Sequence, residues 1–201
     1  MRILLLGDVC GPAGMAIIKL RLKELIKEKE IDFTIVNGEN AAENGKGITK
    51  KNVEDLINSG VDVITSGNHI WDQKEILEII DKEKKLIRPA NFLDGQPGSG
   101  YGIYEIKSKK IAVINLIGNV FMKKSQDLFP FAEKIIKKIK LKKDADFVII
   151  DIHGEITSEK MALGHFLDGR VTTVVGTHTH VPTSDTTILK NGTAYQTDLG
   201  M

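Results

Sequence analysis

RILLLGD, residues 2–8, predicts the first strand of the fold. Its run of isoleucine and leucine is short, uncharged and closed by glycine, which is typical of a strand buried on both faces of a parallel sheet. The segment AIIKLRLKELIKEK (16–29) then has apolar residues at helical spacing, and DFTIVNGEN (32–40) is a second apolar strand that runs into a loop. This order of strand, helix and strand predicts a parallel pair joined by a right-handed crossover.

The alternation of strands and helices continues beyond residue 40. Thr49 is expected to cap a helix that ends near Gly60, because a hydroxyl accepts from the free N–H groups of the first turn and glycine suits a helix end. VDVITSGNH (61–69) is the third strand and DQKEILEIIDKEKK (72–85) the third helix. The first part of the chain therefore predicts a parallel sheet covered by helices.

The remainder of the chain has a different pattern. YGIYEIKSKKIAVINLIG (101–118) predicts an antiparallel hairpin that turns at residues 108–110, and TTILKNGTAYQTD (186–198) predicts a second hairpin. Further elements separate the hairpins: strands at 146–154 and 171–180, an amphipathic helix over 133–144 with Phe131 on its apolar stripe, and a helix capped by Thr157. The fold class is α/β: one domain over residues 1–201, a sandwich of two mixed β-sheets flanked by helices.

The composition narrows the classes of protein that fit. A single cysteine, Cys10, excludes an internal disulfide framework and fits a reducing compartment. The net charge of +1 gives no electrostatic reason for a nucleic acid or a membrane as the main partner. The apolar N-terminal run is interrupted at Asp8, which is too early for a signal peptide or a membrane span. We expect a cytoplasmic protein with no membrane partner, although the lysine-rich run 133–144 allows a nucleic-acid patch as well as an ordinary surface helix.

Side chains that bind metals or transfer protons follow five predicted strands. Because ligands of α/β sheets bind outside the carboxyl ends of the strands, these side chains are expected to converge on one rim. Taken singly, each has a plainer explanation as a loop carboxylate, a turn amide or a packed core histidine. His165, inside a predicted helix, is expected to pack or to line a wall without a ligand role. The converging residues are Asp8, Glu39, Asn40, Asn68, His69, His153, His178 and His180.

The ordered set of these residues resembles the metallophosphoesterase superfamily. Six motifs within it closely resemble the YmdB-like branch, and together they span nearly the whole chain: GDVCGPAG (7–14), NGENAAENGKG (37–47), SGNHIWD (66–72), RPANF (88–92), TSEKMALG (157–164) and VVGTHTHVPT (174–183). The resemblance implies a four-layer αββα sandwich with a dinuclear metal centre.

The resemblance also implies a role for each residue of the set. Glu39 would bridge two divalent metal ions, and His69 would act as general acid beside the leaving oxygen. The mixed imidazole, carboxylate and amide donors suit Fe, Mn or Zn better than Mg²⁺. The remaining ligands would divide into Asp8, Asn40 and His180 for one ion, and Asn68, His153 and His178 for the other.

Two features depart from the usual pattern of the superfamily. Most members have a histidine two residues after the first aspartate, where this chain has Cys10; the YmdB-like branch also lacks that histidine. Asn40 is the expected replacement ligand, with a Cys10 thiolate as the alternative. Relatives also usually continue beyond TDLGM (197–201), so the second sheet and its oligomer contacts are expected to be incomplete at this end.

The implied activity is hydrolysis of a phosphodiester, with 2′,3′-cyclic nucleotides as the candidate substrates, by a hydroxide that bridges the two ions. Two divalent ions offset by two carboxylates and one hydroxide leave a formal charge of about +1, which favours an anionic substrate. Trp71 and Phe121 are candidates for stacking on a base. Lys123 and Lys124, in the stretch GNVFMKKSQD (118–127), are candidates for contacting phosphate.

The alternative function is a metal-bound regulatory or binding protein with weak or vestigial phosphodiesterase activity, acting through partners in RNA turnover or signalling. The intact His69 beside a full ligand set favours the enzyme, because a pure binder has no use for a positioned acid. An exposed strand edge near the chain's end predicts a homo-oligomer.

Overall fold

The computed structural model describes all residues, 1–201, and its first sheet is built by the N-terminal third of the chain. Thr49 caps α2 as predicted, and its hydroxyl accepts from the backbone N–H of Asn52 at 3.0 Å. Helix α1 starts earlier than its apolar spacing predicts, because Pro12 fits the first turn, where its missing N–H is not needed. The elements are β1 (Ile3–Asp8), α1 (Gly11–Glu28), β2 (Phe33–Asn37), α2 (Lys50–Asn58) and β3 (Val63–Thr65).

The second sheet holds six strands in the order β4-β5-β6-β7-β9-β8. Its outer pairs, β4 with β5 and β8 with β9, are antiparallel hairpins, whereas the inner pairs are parallel. The first sheet contains parallel pairs alone, so the expectation of two mixed sheets was wrong for that sheet. The elements are β4 (Tyr101–Ile106), β5 (Lys109–Ile117), α3 (Leu128–Lys138), β6 (Phe147–His153), α4 (Thr157–Phe166), β7 (Thr173–Thr177), β8 (Thr187–Ile188) and β9 (Ala194–Gln196).

The two sheets face each other, and helices cover their outer surfaces. Alternate residues of β2 and β5, such as Ile35 and Val113, meet between the sheets in one apolar cluster. The intervening residues point outward: Val36 packs with α1 and α2, and Ile114 packs with α3 and α4. This two-residue alternation of side chains confirms the four-layer αββα arrangement.

The predicted third helix over 72–85 is wrong. The structure has only a short 3-10 helix, Lys74–Glu78, followed by turns. The chain must return to the edge of β3, where the N–H of Ile64 donates to Lys85 O at 2.7 Å and the N–H of Ile87 donates to Ile64 O at 2.9 Å. That pairing requires extended backbone soon after the 3-10 helix, so no room remains for a longer helix.

Smaller differences concern turns and caps. Helix α4 begins at Thr157 itself, with Ile156 as N-cap and no side-chain capping bond. The first hairpin turns at Lys107 and Ser108, both with positive φ, rather than at residues 108–110.

His165 is exposed on α4, so it neither packs nor lines a wall. None of the helices has the length and apolar composition needed to cross a membrane.

The layer between the sheets changes from apolar to polar towards the carboxyl ends of the strands. Asp151 is its centre: the carboxylate is fully buried and accepts from Asn37 Nδ2 at 3.2 Å and from Thr177 Oγ1 at 2.8 Å. Thr65 Oγ1 also donates to Asp151, and Asn115 Nδ2 donates to its backbone oxygen. We call these five residues the inner polar layer.

Candidate metal centre

The imidazole of His153, at the end of β6, lies at the middle of a cluster of ligand atoms. Its Nε2 is 2.9 Å from Glu39 Oε1, 2.9 Å from Asn68 Oδ1 and 3.0 Å from His178 Nδ1. These atoms come from the loops after β2, β3 and β7, three segments that are distant in the sequence. Oxygen and imidazole nitrogen donors gathered at such spacing match the donor set of a divalent transition metal.

Hydrogen bonds fix which ring nitrogen of each histidine faces the cluster. His153 Nδ1 lies 3.0 Å from Thr177 Oγ1, whose hydroxyl donates to Asp151, so Nδ1 is the donor to Thr177 and Nε2 is the nitrogen that faces the cluster. His178 Nε2 lies 3.1 Å from Glu155 Oε2, which leaves its Nδ1 facing His153. Partners of this kind set the tautomer of metal-binding histidines and raise their basicity.

Two buried oxygen atoms of the predicted ligands have no hydrogen-bond partner: Asp8 Oδ1, which is 4.0 Å from His153 Nδ1, and Asn40 Oδ1, on the residue after Glu39. The other oxygen of Asp8 accepts from the backbone N–H of His178 at 3.0 Å, and the amide nitrogen of Asn40 donates to Gly45 O at 2.9 Å. His180 Nε2 lies 3.9 Å from Asp8 Oδ1. Because a buried unpaired oxygen is unfavourable, both atoms fit a role as ligands of a cation.

The charges of the cluster depend on one another. Burial raises the pKa of Asp8 to about 7, and neighbouring His153 only partly offsets this. Burial also favours the neutral form of Glu39, but the charge and hydrogen bond of His153 outweigh it and lower the pKa of Glu39 to about 2. Burial would lower the pKa of His153, yet Glu39 raises it to about 9. The ionised form of Glu39 therefore depends on positive charge beside it.

His69 lies at the edge of the cluster, with about a quarter of its side chain exposed. Its backbone N–H donates to Glu39 Oε2 at 3.0 Å, and its Nδ1 is 2.6 Å from Asp72 Oδ2. Lys123 Nζ is 3.6 Å from the other oxygen of Asp72 and donates to Asn68 O at 2.6 Å. With Nδ1 bonded to Asp72, Nε2 is the nitrogen that can exchange a proton with a substrate.

The structure brings the predicted site residues together. Three further candidates, two for stacking on a base and one for binding a metal, have the following surroundings. Trp71 packs into the core against Phe92, with ring centroids 6.3 Å apart, so it is not free to stack on a base. Phe121 is 86% exposed on the loop after β5. Cys10 precedes α1, and burial together with the charges of Asp8 and Glu39 raises the pKa of its thiol.

Several residues that support the site were missed in the sequence. Asp151 offered one signal, because a carboxylate at an inward position of an otherwise apolar strand needs buried partners. Asp72 offered another, since it lies three residues after His69 in the quoted motif SGNHIWD. Glu155 and Thr177 offered none that the sequence alone distinguishes from ordinary loop and strand residues.

Comparison with known proteins agrees with the fold. The family model described as YmdB-like protein matches residues 4–201. A 2′,3′-cyclic-nucleotide 2′-phosphodiesterase of Bacillus subtilis is 49% identical over 201 residues, which cover 100% of this chain and 75% of the relative.

Two solved structures superpose closely. A hypothetical protein of Thermus thermophilus has a TM-score of 0.93 at 41% identity, over 100% of this chain and 77% of that one. A phosphatase of Mycoplasma pneumoniae has a TM-score of 0.91 at 41% identity, over 99% of this chain and 71% of that one. By the family match and by these relatives, the chain belongs to the YmdB-like family.

Proposed function

We propose that this protein is a metal-dependent phosphodiesterase that hydrolyses 2′,3′-cyclic nucleotides. The observation that carries the proposal is that two predicted ligands of the Glu39–His153 cluster have unpartnered buried oxygens, Asp8 Oδ1 and Asn40 Oδ1. A cation bound there would give both oxygens a partner. The name of the Bacillus relative, a 2′,3′-cyclic-nucleotide 2′-phosphodiesterase, supports the substrate class.

The ligand set supports two divalent ions that Glu39 would help to hold, and Fe, Mn or Zn would suit its nitrogen and oxygen donors. When bound, two such ions supply positive charge that stabilises the phosphoryl oxygens. We assign the first ion to Asp8, Asn40 and His180, because the two unpartnered oxygens belong to this group. We assign the second ion to Asn68, His153 and His178, because Asn68 Oδ1 is 2.9 Å and His178 Nδ1 is 3.0 Å from His153 Nε2.

We propose that Nε2 of His69 donates a proton to the leaving ribose oxygen. Asp72 holds the ring through Nδ1, and Lys123 holds Asp72 and the Asn68 backbone. The imidazole therefore has a fixed direction, which is what a general acid requires in order to meet the leaving oxygen.

The loop after β5 is the proposed substrate-side surface. Its start is tied to the site by Gly118 N–H, which donates to His153 O at 3.0 Å, and its end by Lys123, which donates to Asn68 O. Phe121 lies between these contacts with a φ of 61°, a conformation that bulky residues rarely adopt. We therefore keep Phe121, rather than Trp71, as the residue that stacks on the base.

Activity assays with added Mn²⁺ test the proposed function. The purified protein should hydrolyse 2′,3′-cAMP and bis-p-nitrophenyl phosphate, and an excess of EDTA should abolish both reactions. Inactivity on both substrates in protein shown to contain metal would refute the proposal. That outcome would favour the metal-bound regulatory protein acting through RNA-related partners.

Replacing Thr177 by valine should weaken metal binding without disrupting the fold. Valine keeps the shape of Thr177 but cannot accept from His153 Nδ1 or donate to Asp151. Loss of such a supporting residue typically lowers metal affinity by about 10–100-fold. Isothermal titration with Mn²⁺ measures the effect. Thr172→Val is a matched control, because its hydroxyl bonds only to the backbone of Val148 at the far end of the sheet; an unchanged affinity in Thr177→Val would contradict the role.

We also propose that the single domain is cytoplasmic and forms a homo-oligomer. Strand β1 is an edge of the first sheet, and Ile17 and Leu20 of the adjacent helix are more than half exposed. Exposed edges and apolar side chains of this kind favour association with another copy. Light scattering after size exclusion should give a mass at least twice that of the chain; a monomer at all concentrations would end the proposal.

A further inference from the structure

A buried ion pair lies behind the candidate site and takes no part in the proposed chemistry. Lys160 of α4 and Asp198, after β9, are both completely buried, and Lys160 Nζ is 2.8 Å from Asp198 Oδ2. The ammonium also donates to Thr177 O at 3.3 Å. Stability alone does not explain such a pair, because removing two charges from water costs about as much as their attraction returns.

The pair contacts the backbone on both sides of His178. Asp198 Oδ2 accepts from the backbone N–H of Thr179 at 3.2 Å and from its hydroxyl at 2.8 Å, while Lys160 binds the carbonyl of Thr177. The loop needs such support, since His178 and His180 have positive φ values of 100° and 63°. Residues other than glycine adopt positive φ uncommonly, and although histidine does so more often than most, a φ of 100° at His178 lies outside the left-handed helical region.

The segment that carries Asp198 also touches the first sheet. Gly200 N–H donates to Asp198 Oδ1 at 2.8 Å, and Gly200 O accepts from the N–H of Asp8 at 2.9 Å. On the other side, Leu199 N–H donates to Gly176 O at 2.9 Å. One short segment therefore connects Asp8 on the first sheet with the His178 loop on the second.

We propose that Lys160 and Asp198 are positioning residues that set the distance between the two halves of the metal centre. The inference rests on the proposed function. Lys160 neutralises Asp198, so that the carboxylate can be buried where it holds Thr179 and Gly200 together. His178 and His180 then face the ligands that come from β1 and β2, and the pair acts on the metals only through these histidines.

Lys160→Met tests the proposal, because methionine keeps much of the length of lysine and removes the charge. We expect Mn²⁺ affinity to fall by more than about tenfold, as for loss of a residue that supports a ligand. We also expect the electron paramagnetic resonance spectrum of the Mn²⁺-loaded protein to lose the features of a spin-coupled pair. Lys160→Met/Asp198→Asn should bind more tightly than Lys160→Met, because no unpaired charge stays buried.

Arg170→Met is the matched control. It breaks the ion pair of Arg170 with Glu133, at 2.7 Å, which lies away from the metal ligands. This variant should alter thermal stability without changing Mn²⁺ affinity or the spectrum. If Lys160→Met does not fold, Asp198→Asn gives the same comparison, because asparagine keeps the shape of the side chain.

The outcomes separate the inference from the proposed function. Wild-type protein that binds no Mn²⁺ would refute the metal site itself. Wild-type protein that binds Mn²⁺, together with a Lys160→Met variant that melts lower but keeps the wild-type affinity and spectrum, would overturn the positioning role alone.

Discussion

Replacing His69 by alanine should lower the turnover of 2′,3′-cAMP by about 10²–10⁴-fold, the usual contribution of a general acid. Metal binding should survive, because His69 contacts Glu39 through its backbone N–H, which alanine retains. The imidazole itself bonds to Asp72, outside the ligand set. The measurements are the turnover number and the metal content of the purified variant.

The leaving group gives this prediction a second test. p-Nitrophenolate leaves without protonation, so His69→Ala should lose much less activity on bis-p-nitrophenyl phosphate than on the cyclic nucleotide. His165→Ala is the matched control, because this histidine is exposed on α4 and should change neither rate. Equal losses on both substrates, or full activity on 2′,3′-cAMP, would remove His69 from the role of acid.

Replacing Glu39 by glutamine should abolish binding of at least one ion and with it nearly all hydrolysis. Glu39 is buried between His153, 2.9 Å from Oε1, and the His69 N–H, 3.0 Å from Oε2. Glutamine fits the same space but removes the negative charge that two cations would share. The loss of metal affinity should exceed the about 10–100-fold expected when only a supporting residue is removed.

Titration calorimetry with Mn²⁺ and metal analysis measure this effect. Glu43→Gln, on the exposed part of the same loop, is the control for loss of a carboxylate and should bind metal normally. A Glu39→Gln variant that still binds two ions with wild-type affinity would contradict the assignment of Glu39 as the shared ligand.

The sequence predicted two sheets flanked by helices and the rim of the site because both depend on local patterns. Short apolar runs define strands, and parallel strands bring residues at their carboxyl ends to one edge. The helix predicted over 72–85 failed because pairing of Ile64 with the returning chain overrode its helical spacing. A local pattern does not reveal which distant segment will pair with a given stretch of backbone.

The residues that hold the ligands were hidden for the same reason. Thr177 supports His153 from a neighbouring strand, and Asp151 meets Asn37 from the opposite sheet. Lys160 resembles an ordinary helix lysine in the sequence, because only the packed fold shows that its ammonium reaches Asp198 inside the protein. Such partners become visible only when strand order and sheet packing are known.

The inner polar layer has a consequence for how the protein responds to its surroundings. Asp151 and its neighbours satisfy one another, since the unpartnered buried side-chain atoms are those of Asp8 and Asn40. The side chains beneath the site therefore hold one another without a contact to a metal ion. Chelation should leave a folded but inactive protein, and one metal can replace another without rebuilding the sandwich. Activity would then rise and fall reversibly with the supply of metal in the surroundings.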